Sequence, residues 1–66
     1  MNDEDVLNAR LAMLKQQHRD LDVAVAALEA EPMRDELQIR RLKKQKLYLR
    51  DCISGIEDQI NPDLLA

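Results

Sequence analysis

The chain has no tryptophan, no phenylalanine and one tyrosine, Tyr48. Small-molecule sites are walled largely by aromatic and bulky apolar side chains, so this scarcity argues against a globular pocket for a cofactor or substrate. Cys52 is the sole cysteine, which excludes an internal disulfide. Together with an acidic start, Asn2-Asp3-Glu4-Asp5, where a secretory leader would be basic and then apolar, it points to a reducing, cytoplasmic setting. Gly55 is the one glycine, and Pro32 and Pro62 are the only prolines, so long stretches run without a helix breaker. No apolar run approaches the roughly 20 residues needed to span a bilayer. A chain of 66 residues is one domain at most, and at that size only about 60% of the unfolded surface is buried on folding.

What the chain does have is heptad spacing. Leu7, Leu11, Leu14, His18, Leu21, Val25 and Leu28 follow alternating steps of four and three, and Ile39, Leu42, Lys46, Leu49, Ile53, Ile56 and Ile60 follow alternating steps of three and four. The second stripe mirrors the first about Pro32 and Met33, so folding back there sets Leu28 against Ile39 and Leu7 against Ile60. A sustained apolar repeat of about 3.5 residues specifies helices packed lengthwise, and an antiparallel hairpin is the simplest topology that satisfies both stripes. The fold class is therefore all-α: a two-helix hairpin with a coiled-coil-like seam, assembling into a homo-oligomeric helical bundle.

The spacing predicts a first helix from about residue 4 to about residue 30, a turn to about 35, a second helix from about 35 to about 60, and a tail over 61–66. Glu31 precedes Pro32 and is steered away from helical dihedrals. Asp35, with Gln38 three residues on, has the pattern of a capping box, although a start at Pro32 or Met33 also suits a first turn. Gly55 is discordant inside the second helix, costing about 1 kcal/mol relative to alanine unless a close contact uses its missing side chain. Leu64 and Leu65 in the tail are available to dock on the hairpin or on a partner.

Two polar residues interrupt the seam. In the mirrored register His18 faces Leu49, while Lys46 faces Leu21 beside Asp22, so the Lys46 stem can cross the seam and bring its ammonium to that carboxylate. Polar residues at seam positions commonly fix register or oligomeric state, and this is the reading favoured for His18, Asp22 and Lys46. The alternative for His18 is a pH-sensitive contact. A catalytic pair of Cys52 and His18 would need a third orienting group and a cleft, and one histidine with one cysteine lacks the clustered spacing of a zinc site. No catalytic, cofactor or metal residues are expected, and no membrane or small-molecule partner.

The net charge is −3, yet Arg40, Arg41, Lys43, Lys44, Lys46 and Arg50 form a run with no acid among them. Such a run neutralises phosphates and gives salt-dependent binding to nucleic acid. On a helix, however, Arg40, Arg41 and Lys44 point outward, Lys43 and Arg50 flank the seam and Lys46 sits in it. No reading motif or stacking platform accompanies them in sequence, and a solvated face paired with Asp20, Asp22 and Glu29 is the simpler expectation. A second apolar set, Leu47 and Tyr48 on one helix and Ala9, Met13, Val23, Ala27 and Ala30 on the other, is surplus to a single hairpin. Surplus apolar residues rimmed by charge mark association surfaces, and Met13, Val23, Ala27, Leu47 and Tyr48 are the candidate contacts. The expected function is a non-enzymatic interaction module or accessory subunit, binding itself or a larger protein complex. The alternative is a nucleic-acid-associated regulator using Arg40, Arg41, Lys43, Lys44 and Arg50.

The string His18-Arg19-Asp20-Leu21-Asp22, then Leu28-Glu29, Pro32 and Asp35, and the block Leu42-Lys43-Lys44-Gln45-Lys46-Leu47 followed by Leu49-Arg50-Asp51, resembles the YdcH-like family of small bacterial proteins. The resemblance covers His18 to about Ile60. It implies a cytoplasmic, self-associating helical hairpin and no established activity, and it implies that His18, Asp22, Lys43, Lys44 and Lys46 are a family feature. Gly55, Cys52 and residues 62–66 fall outside the matched pattern.

Overall fold

In the computed structural model, which describes residues 2–61, two helices, α1 (Asp3–Glu29) and α2 (Glu36–Ile60), pack against each other as an antiparallel hairpin. The tail residues Leu64 and Leu65 lie outside the described residues.

Each helix begins where its sequence offers a cap. The Asn2 side chain accepts a hydrogen bond from the Asp5 amide at 2.8 Å, and Asp3, Glu4 and Asp5 place negative charge in the first turn, where the helix dipole favours it. At α2 the Asp35 carboxylate accepts from the Gln38 amide at 3.0 Å, which is the forward half of the capping box. The helix therefore starts at Glu36, and Pro32 and Met33 belong to the turn. Helix α1 ends with the Ala30 amide donating to the Ala26 carbonyl at 3.2 Å and the Glu31 amide to Leu28 at 3.3 Å, just before Pro32. Removing an N-cap side chain costs about 1 kcal/mol, so Asp35→Ala should lower the midpoint of thermal unfolding by roughly 4–8 °C. Circular dichroism at increasing temperature measures it.

All fourteen seam positions are shielded from solvent, and Val25, Ile39 and Ile56 are the buried core, at 3%, 4% and 8% exposure. Outside the seam, only Ala24 and Cys52 among the described residues are also shielded. Both lie on the same edge of the hairpin, one heptad beyond Gln17 and Gln45 respectively.

The opposite edge carries a ladder of ion pairs between the helices. Lys15 meets Glu57 at 3.5 Å, Asp22 meets Lys46 at 2.7 Å, and Glu29 meets Lys43 at 3.1 Å. The acceptor and donor change sides once along this ladder. A slip of one heptad towards the start of α2 would set Lys15 against Arg50 and Glu29 against Glu36, so like charges oppose a register that the apolar seam alone would tolerate.

Candidate functional site

The polar centre of the hairpin is built by heptad spacing on both helices. Lys46 occupies a seam position of α2, and its Nζ reaches the edge and donates to Asp22 Oδ1 at 2.7 Å. That hydrogen bond, then the Lys46 charge, and lastly the nearby His18, hold the Asp22 carboxyl below its ordinary pKa. Asp20, two residues back, is not drawn into the ladder and accepts instead from Gln16 Nε2 at 2.9 Å. His18 is half-buried in the seam near Asp22, whereas Cys52 is half-buried one turn along α2 from Tyr48.

Tyr48 is the centre of the other edge. Three shallow concavities follow one another along this side, and Tyr48 lines all of them. The first is closed by Gln17, Asp20, Leu21 and Gln45, the second by Leu7, Leu14, Cys52 and Gly55, and the third by Arg41, Lys44 and Gln45. The first two share Gln17, Tyr48 and Leu49 and form one groove floored by the seam residues Leu7, Leu14, Leu21, Leu49 and Ile56, and the third adjoins it on the α2 side. The α2 wall is the row Arg41, Gln45, Tyr48, Cys52, Gly55 and Gln59, and the α1 wall includes Arg10 and Gln17. Hydrogen bonding to the Cys52 thiol, followed by charge and partial desolvation, raises the Tyr48 phenol above its ordinary pKa, against a smaller pull from Arg10. The ring remains 69% exposed.

The five candidate contact residues do not form one surface. Tyr48 lines the groove. Met13 and Ala27 flank it, since they lie seven residues either side of Asp20, which lines it. Val23, at 65% exposure, lies on the back of α1, and Leu47 leans towards the ion-pair edge. The cations also divide: Lys43 and Lys46 are held in the ladder, while Arg41 and Lys44 sit beside Tyr48 in the third concavity. Tyr48 lies one helical turn from Lys44 and is the aromatic neighbour of the basic run. Sequence reasoning misses the groove walls Arg10, Gln17, Gln45 and Gly55. The available signal is the contrast between edges: Lys15, Asp22 and Glu29 recur every seven residues on one, and Arg10, Gln17 and Ala24 on the other.

Among the described residues no cluster of three or more histidine, cysteine, aspartate or glutamate side chains is arranged to hold a metal ion. Neither described helix is long and apolar enough to cross a membrane.

A family model described as a protein of unknown function, DUF465, matches residues 11–57. No curated protein and no solved structure matches the chain.

Proposed function

The chain belongs to the DUF465 family, the YdcH-like family, whose description assigns no role, and we propose from its own geometry that it is a non-enzymatic, cytoplasmic interaction module acting through helix–helix contacts. The observation that carries this reading is the unequal treatment of the two edges. One is bridged by three interhelical ion pairs, and the other is an open groove walled by amide, small and aromatic side chains with Arg10 and Asp20. Two helices joined along one seam leave such an edge with apolar floor and hydrogen-bonding walls, the composition of the core of a protein interface. The test is a quantitative pull-down of the tagged protein from its native lysate, with and without nuclease. Stoichiometric recovery of a protein, whether a second copy or a larger partner, that survives nuclease is expected. Recovery of no protein at native concentrations would sink the reading.

A second reading, nucleic-acid association, is favoured by one specific observation. Arg41 and Lys44 flank the exposed Tyr48 ring, and a cation pair around an aromatic face is the element that stacks an unpaired base while neutralising its phosphates. This reading predicts that Arg40→Gln, Arg41→Gln and Lys44→Gln together abolish retention on single-stranded nucleic acid, with the logarithm of the wild-type affinity falling with that of salt at a slope of roughly −2. A slope near zero in a filter-binding titration would eliminate it.

A further inference from the structure

We infer that the groove on the edge away from the ion-pair ladder receives a second copy of this chain, laid antiparallel about a two-fold axis level with residue 50 of α2. This inference rests on the helix–helix interaction reading above and adds the occupant, the face and the orientation.

Size complementarity comes first. The α2 wall of the groove steps by four and three, so it reads the same in both directions about residue 50: Arg41 is level with Gln59, Gln45 with Gly55, and Tyr48 with Cys52. On one side of that centre stands the large Tyr48, and on the other the small Cys52 and Gly55. Antiparallel mating therefore puts each Tyr48 ring over the Cys52 and Gly55 of the other copy, a knob over a hole. Within one hairpin Gly55 serves no packing purpose, because a Cβ built there meets nothing within 4 Å. A glycine in a helix interior costs about 1 kcal/mol relative to alanine, and no contact within the hairpin offsets that cost.

Charge selects the orientation. Outside the ladder, the stretch from Arg40 to Lys46 holds Arg40, Arg41 and Lys44 with no acid, whereas the open end of the hairpin gathers Asp3, Glu4, Asp5 and Asp58 around Arg10. Antiparallel copies set the cationic stretch of each towards the acidic end of the other, and parallel copies would set Arg41 against Arg41 and Lys44 against Lys44. The area agrees in scale. The chain exposes 5425 Å², against about 4300 Å² for a compact protein of its mass, and each partner in a standard interface contributes about 800 Å². Ala24 and Cys52, the two shielded residues outside the seam, already lie on the groove edge and extend its floor.

The deciding experiment combines sedimentation equilibrium with a distance measurement. Wild type is expected to sediment as a dimer at tens to hundreds of micromolar, and Gly55→Glu and Tyr48→Glu to weaken dimerisation about 30-fold or more, with helical circular dichroism unchanged because both positions are open in the single hairpin. Val23→Gln, on the back of α1, should dimerise as wild type. With Cys52→Ser and a spin label at Met33→Cys, antiparallel copies hold the two turn segments roughly 45–50 Å apart, and parallel copies hold them close. A monomeric wild type, a dimer untouched by both groove variants but broken by Val23→Gln, or a short label distance would each overturn the inference. The failures are distinguishable: a monomer that still captures another protein in the pull-down defeats the second copy and leaves the interaction module standing.

Discussion

Ile39→Asp is expected to unfold the hairpin outright at 25 °C. Ile39 is 4% exposed and closes the seam nearest the turn, opposite Leu28. Removing the isoleucine forfeits about 2–3 kcal/mol of apolar burial, and placing a carboxylate there adds a desolvation cost of several kcal/mol or forces the seam open to water. A core of this size supplies only roughly 3–5 kcal/mol in total, so either term alone brings the folded state close to its limit and the two together exceed it. Loss of the helical signal at 222 nm is the expected readout. Leu37→Asp, two residues away but 55% exposed, should leave that signal intact, and Ile39→Val should cost only about 0.5–1.5 kcal/mol. Leu14→Asp and Ile53→Asp act in the same direction from half-buried seam positions. Helicity retained in Ile39→Asp would mean that the mirrored register is wrong.

This register is legible in the amino-acid sequence because burial in a two-helix hairpin depends on one variable, the angular position of a residue relative to the partner helix. Steps of three and four fix that angle, and the shielded set is the fourteen seam residues with just Ala24 and Cys52 added. The helix ends are nearly as legible, because Glu31 before Pro32 and the Asp35 cap act within a few residues of themselves. The distinction between the two edges is harder to see. Flanking residues contribute no apolar signal, and their meaning comes from which helix faces they share after folding. Lys15 finds Glu57 only at the far end of the other helix, and the groove emerges only when Gln17 and Gln45 are brought to the same side. A second apolar set is visible in the sequence, but helical spacing alone cannot say that Tyr48 looks into a groove while Val23 looks away from it.

The residues that carry the family resemblance divide between the two edges. Asp22, Lys43 and Lys46 belong to the ion-pair edge, whereas Lys44 lies beside Tyr48, next to the groove. The block Leu42-Lys43-Lys44-Gln45-Lys46-Leu47 thus serves two surfaces at once. Its first leucine lies in the seam, its first and last lysines make interhelical ion pairs, and Lys44 with Gln45 lies beside Tyr48.

Replacing Lys46 with leucine should stabilise the hairpin while making its stability less sensitive to acid. The side chain is 31% exposed and its stem already lies across the seam between Leu42 and Leu49. Leucine completes the apolar stripe, and an exposed ion pair gives up little net stability when removed, so the expected net gain is about 1 kcal/mol, or roughly 4–8 °C in the unfolding midpoint. The pH dependence follows from Asp22. Lys46 lowers the folded-state pKa of that carboxyl, so around that pKa the unfolded chain binds more protons than the folded one, and stability rises with pH. The contribution is complete above the unfolded value of about 3.9 and disappears as pH falls through the lowered folded value. Wild type therefore loses this stabilisation in acid, while Lys46→Leu never had it, and the advantage of the variant should widen below about pH 4. Thermal unfolding of both proteins from neutral pH down to about pH 2 reads the difference. A variant less stable than wild type at neutral pH would show that Lys46 is held by a polar network with Asp22 and His18 whose worth exceeds that of an uninterrupted seam, and the polar centre would then be a structural requirement of the fold.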